Sequence, residues 1–146
     1  MILRRERLKL FEVVNETVTT VTLRSIQSVP AGKPDVQKIL SIANVTVSAT
    51  GTPLPNKVVL EGTATVQTIY VADLPDQPVH HMEHVISFLQ FADLPGTQPG
   101  MTVIVKPRVK FSDIVIRSPR EVEIELIIEF FVKVIRLVQL DVVTDV

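Results

Sequence analysis

The sequence predicts an all-β chain: an antiparallel β-sandwich-like domain with an N-terminal β-prone arm. Three observations lead there. The apolar load is aliphatic, Pro and Gly punctuate the chain at short intervals, and a strict two-residue alternation runs near the C-terminus. Of 146 residues, 46% are hydrophobic but only 5% aromatic, with no Trp. Val, Ile and Thr, which dominate, are stiff at χ1 and pack better on a pleated surface than in a helix. Five turn-like stretches divide the chain: Pro30 to Pro34, Gly51 to Asn56, Asp73 to Pro78, Leu94 to Gly100, and Ser118-Pro119. Short strands at such spacing are the mark of a sandwich or barrel.

Residues 1–29 form the arm, with Val13, Val14, Val18, Val21, Leu23 and Ile26 as its candidate assembly residues. It lacks the Gly and Pro needed to fold compactly on itself, and unpaired backbone groups and exposed apolar side chains are costly. Its partner is therefore either its own domain or a neighbouring copy.

Residues 30–146 form the main domain. Val36 to Thr50, Lys57 to Ala72, Val79 to Phe91 and Met101 to Arg117 all have strand composition. Pro107 cannot donate to a ladder, so its strand is an edge or carries a bulge there. Phe88, Phe91, Leu94 and Tyr70 are read as core. In the last segment Val122, Ile124, Leu126, Ile128, Phe130, Val132 and Val134 share one parity, while Glu123, Glu125, Glu129 and Lys133 share the other. That period belongs to a strand covering a core. Alternation continues through Val138, Leu140 and Val142. About twenty residues at ~3.3 Å each exceed a typical strand, so this one bends between sheets or its tail leaves the domain.

Several stretches between Val36 and Val138 resemble, in order and spacing, the SPOCS domain of spore-coat morphogenesis proteins in endospore-forming bacteria. They are Lys57 to Val66, Ile69 to Ala72, Gln77 to His80, Ile86 to Phe88, Leu94-Pro95-Gly96 with Pro99-Gly100-Met101, and the final Glu-alternating strand. The resemblance implies a β-rich module that acts by protein–protein contact in spore-envelope assembly, without catalysis. Family members often carry a peptidoglycan-binding LysM module as well; the absence of room for one here favours a small stand-alone structural subunit. The motifs carry over no catalytic or ligand residues.

The charge balance, 15 Lys and Arg against 16 Asp and Glu, gives no global field to hold nucleic acid. The basic cluster Arg4, Arg5, Arg7 and Lys9 reads as a solvated terminus. With no cysteine, disulfides, thiolate metal sites and cysteine nucleophiles are excluded. No signal peptide is evident and no apolar run reaches a membrane span, so synthesis in the cytoplasm is expected, followed by deposition at the spore surface or in an extracellular fibre. Asn15-Glu16-Thr17 and Asn44-Val45-Thr46 are glycosylation sequons in form only.

His80, His81 and His84 are all the histidines in the chain. On a strand, His80 and His84 stand ~13 Å apart, too far to share an ion. They read as partly exposed surface residues, with no metal or other cofactor. The row Glu121, Glu123, Glu125 and Glu129 offers the carboxylate spacing some glycosidases use, but reads as a solvated strand face. Neither a nucleophile elbow nor a phosphate loop occurs among five glycines. The chain is therefore not expected to be an enzyme. Its expected partners are further copies of itself, as a homo-oligomer or fibre, and other spore-envelope proteins. A monomeric carbohydrate- or small-ligand-binding β-module is the alternative.

Overall fold

The computed structural model describes the backbone of residues 3–145 and the side chains of residues 7–140. Six strands follow in order: β1 (Leu3–Ser28), β2 (Val36–Leu54), β3 (Lys57–Ala72), β4 (Val79–Asp93), β5 (Thr102–Ser118) and β6 (Glu121–Asp145). They form two three-stranded sheets, ordered β1-β6-β5 and β2-β3-β4. Every pairing is antiparallel, and the sheets pack face to face as a sandwich.

The core lies between the two central strands. On β6, Val122, Ile124, Leu126, Ile128, Phe130, Val132 and Val134 are all fully buried, the parity the sequence predicts. On β3, Val58, Leu60, Ala64, Val66, Tyr70 and Ala72 face them, also fully buried. A central strand is paired on both edges, so only its two faces remain to be covered, and strict alternation gives one of them to the core. Phe88 of β4 reaches across to Phe130, their ring centroids 5.4 Å apart.

β1 pairs with β6 along its whole length, from Leu3 opposite Asp145 to Ser28 opposite Glu121, with one bulge between Val13 and Asn15. The N-terminal stretch thus finds its partner within its own chain. β5 covers the other side of β6 only as far as Ile135, opposite Thr102. Beyond that point β6 pairs with β1 alone, and its tail leaves the sandwich as one strand of a two-stranded ribbon.

The sandwich is shut along one side and open along the other. A Cβ on Gly51 of β2 would strike Val103 and lie 2.9 Å from Val105 Cγ2, both on β5, so those two edges meet closely. β1 and β4, on the opposite side, touch only sparsely.

Both ends are tied by loops. At one, Arg120 Nη1 donates to the Lys33 carbonyl at 2.6 Å and Nη2 to the Val29 carbonyl at 3.2 Å, fixing the crossover from β1 to β2. At the other, the Asn56 carboxamide oxygen accepts from the Gly96 N–H, and Asn15 Nδ2 donates to the Pro95 carbonyl. Asn56 holds a positive φ of 60°, a left-handed turn conformation that Asn tolerates.

Candidate interaction surfaces

The six predicted assembly residues divide by face. Val21 and Leu23 belong to the core, and Val14 packs against it from the bulge. Val13, Val18 and Ile26 stay exposed. After the bulge the outward positions of β1 are Glu16, Val18, Thr20, Thr22, Arg24 and Ile26, opposite Lys133, Phe131, Glu129, Ile127, Glu125 and Glu123. Half the predicted set therefore holds the sandwich together and half faces out.

The four edge strands are not equally guarded. β2 carries three register shifts between Val36 and Asn44, plus Pro53. β5 carries Pro107 among Lys106, Arg108 and Lys110, with two further register shifts. Bulges, prolines and lysines are the usual devices against unwanted strand pairing. The sequence left Pro107 at an edge or a bulge, and β5 is an edge. β4 has none of these devices, nor has β1 from Asn15 onward. The two unguarded edges are those on the open side of the sandwich.

The ribbon adds a second surface. The tail of the last strand leaves the domain, one of the two outcomes the sequence left open, but its pairing with the start of β1 is what the sequence reading missed. Leu8 and Leu10 stand opposite Leu140 and Val138, and on its other face Phe11 and Val13 stand opposite Leu137 and Ile135. Phe11 is 70% exposed, and Leu8, Leu10, Leu137 and Leu140 are exposed too. A Glu12–Arg136 ion pair at 3.0 Å crosses the ribbon near its root. The available signal was the continued alternation of Val138 and Leu140, matched by Leu8 and Leu10 at the same two-residue period. Arg7 and Lys9 of the basic cluster are exposed on this ribbon, whereas Arg4 and Arg5 lie outside the residues whose side chains are described.

The other candidates fall into place by parity. His84 is buried, which corrects the expectation of a surface residue: it shares its side of β4 with Met82, Ile86 and Phe88. Its Nε2 lies 3.0 Å from the Ser28 carbonyl and so donates to it, tying β4 to the end of β1. His81 points outward, and the His80 ring lies 6.1 Å from that of Tyr70. Phe91, read as core, is 59% exposed on the outer face of β4, with Lys57 Nζ 5.5 Å above its ring. Phe88, Leu94 and Tyr70 are buried as expected.

Glu123, Glu125 and Glu129 of β6 lie outward and are neutralised in place, while Glu121, at the start of the strand, is exposed. Arg24 Nη2 meets Glu125 at 2.7 Å, Arg24 Nε approaches Glu123 at 3.8 Å, Arg117 also pairs with Glu123, and Lys110 meets Glu129 at 3.6 Å. The hydrogen bond and charge of Glu125, with Glu123 adding, hold the Arg24 guanidinium above its ordinary pKa. These carboxylates serve cross-strand ion pairs rather than a cleft. An open hollow of about 530 Å³ lies over Glu61, Gly62, Thr63, Ser87, Phe88 and Leu89, but its single aromatic is turned into the core. No helix among the described residues is long and apolar enough to cross a membrane.

The family model described as SipL, SPOCS domain, matches residues 35–117, more than half of the chain. The match spans β2 to β5, so β1 and β6, which build the ribbon and most of the core-covering sheet, lie outside it. No curated protein and no solved structure matches the chain.

Proposed function

Because the chain belongs to the SPOCS domain family, we propose that it is a structural, self-associating interaction module of the spore envelope or a related extracellular fibre, and that it assembles by β-strand addition. One observation carries this reading: β1, 26 residues long, is an edge strand with no covering strand on its outer side among the described residues. An added strand takes strength from main-chain hydrogen bonds and register from alternate side chains. The module is made in the cytoplasm, deposited at the spore surface or in the fibre, and needs neither catalysis nor a cofactor. Its partners are further copies and other spore-envelope proteins.

The ribbon supports the same reading. A two-stranded ribbon is marginally stable by itself in water, and this one exposes apolar side chains on each face, Leu8, Leu10 and Leu140 on one and Phe11 and Leu137 on the other. Covering it with a neighbouring copy removes that surface from water. Such a contact is heterologous and propagates where its rotation does not close.

The test is sedimentation velocity over a wide concentration range, with negative-stain imaging. Species larger than one chain that grow with concentration are expected, and Leu8→Asp with Phe11→Asp should shorten them while the sandwich stays folded. A monodisperse monomer at high concentration overturns the proposal.

A further inference from the structure

We infer that the β1 edge between Asn15 and Ser25 joins a second copy of the chain, antiparallel, about a two-fold axis at Thr20. This rests on the self-association reading above and gives it a defined joint. The run from Asn15 to Ser25 lies within the piece of β1 in the sandwich, Asn15 to Ser28, that has no register shift, proline or lysine. It lies on the open side, and at ~3.3 Å per residue it offers roughly 36 Å of backbone.

A two-fold axis normal to the sheet places each residue opposite one on the same face of the other copy. With the axis at Thr20, Glu16 meets Arg24 of the second copy, and Arg24 meets its Glu16. Directly opposed Cβ atoms lie about 4.5–5.5 Å apart, within reach of an ion pair. Within one chain Glu16 is opposite Lys133, and Arg24 is opposite Glu125. The joined sheet thus carries a row of alternating sign across four strands: Lys133, Glu16, then Arg24 and Glu125 of the second copy, repeated by symmetry.

The neighbouring rows agree. Val18, beside Phe131, comes opposite Thr22 of the second copy, which stands beside that copy's Ile127. On the inward side Thr19 meets Val21 and Thr17 meets Leu23, extending both cores towards each other. Other registers lose the charge match. An axis at Thr19 sets Glu16 against Thr22 and brings Arg24 to the bulge; an axis at Val21 sets Glu16 against Ile26 and Arg24 against Val18. Arg24 has donors to spare, since its contacts to Glu125 and Glu123 use Nη2 and Nε and leave Nη1. Its side chain is 64% exposed. The two ribbons of such a pair project in opposite directions, leaving both available for further contacts.

The chain contains no cysteine, so single cysteines report this joint cleanly. Thr20→Cys should give a disulfide-linked dimer under mild oxidation. Val18→Cys should not, because the two copies of position 18 are offset by four residues, ~13 Å. Glu16→Arg and Arg24→Glu should each weaken dimerisation about tenfold by setting like charges opposite, and the double variant should restore it. If self-association persists but Thr20→Cys does not crosslink, or crosslinks no better than Val18→Cys, this joint is refuted and self-association stands. A chain that is monomeric at every concentration refutes both.

Discussion

Gly62 of β3 lies so close to the Ser48 carbonyl of β2 that a Cβ there would overlap that oxygen, with Ala49 Cα only 2.8 Å away. The clash is with backbone, so no side-chain rotation relieves it. Gly within a strand often marks such an approach, and here it fixes how tightly β2 lies on the central strand.

Gly62→Ala therefore runs against the usual trend. Where the backbone allows it, Gly→Ala stabilises by restricting the unfolded chain. At position 62 the overlap should cost about 2–3 kcal/mol, in the range of overpacked cores. Urea denaturation measures this. A midpoint equal to or above wild type would show that β2 can shift away without penalty.

Tyr70 supplies a pH prediction. Its hydroxyl donates to the Pro34 carbonyl at 3.0 Å, holding the crossover loop against the core. Burial raises its pKa above the ordinary value near 10; Arg120 opposes this and Asp35 adds to it. A raised folded-state pKa means that the folded protein holds the proton more tightly than the unfolded chain. The stabilisation is complete below pH ~10 and is lost as pH rises through the folded value. Stability should fall in that alkaline window, and Tyr70→Phe should flatten the fall while costing about 1 kcal/mol at neutral pH. As the sole Tyr, in a chain without Trp, it can be titrated directly by tyrosinate absorbance. Ionisation at or below the ordinary value would contradict the assignment.

Much of this fold is legible in the sequence because strands announce themselves by parity. The core face of β6, the turn positions and the edge placement of Pro107 all follow from local chemistry. His84 and Phe91 were misjudged because residue type was weighed above parity: the run Met82, His84, Ile86, Phe88 already placed the histidine inside and Phe91 outside. β2 hid itself differently. Its core contacts Val36, Ile39, Ile42 and Val45 recur every three residues, which matches neither strand nor helix; each interval contains a bulge. The ribbon was least legible, since pairing Leu8 with Leu140 spans nearly the whole chain. No local signal sets that register; only complementary alternation in two distant segments does.

The histidines separate by the same logic. His84→Ala removes a buried ring and its bond to the Ser28 carbonyl, which should cost about 2–3 kcal/mol. His81→Ala, on the exposed side, should stay within about 0.5 kcal/mol of wild type. Thermal or urea unfolding of the two variants decides it. Equal stability would mean that the tie between β4 and β1 contributes nothing.

Arg120 is the remaining test, because one side chain serves a whole crossover. It donates to the Lys33, Val29 and Pro30 carbonyls and pairs with Asp35 at 3.2 Å. The backbone runs alongside, with the Val29 N–H donating to the Arg120 carbonyl and the Val36 N–H to that of Pro119. Several acceptors in different directions need a planar fork with five donors, which an ammonium cannot imitate. Arg120→Lys should therefore behave much like Arg120→Ala, each costing about 1–2 kcal/mol after allowance for partial exposure. Hydrogen exchange should show faster turnover at the Val29 and Val36 amides while the amides of β3 keep their protection. Full rescue by lysine would reduce the fork to a point charge near Asp35, and undisturbed exchange at both amides would leave the crossover held by its backbone bonds alone.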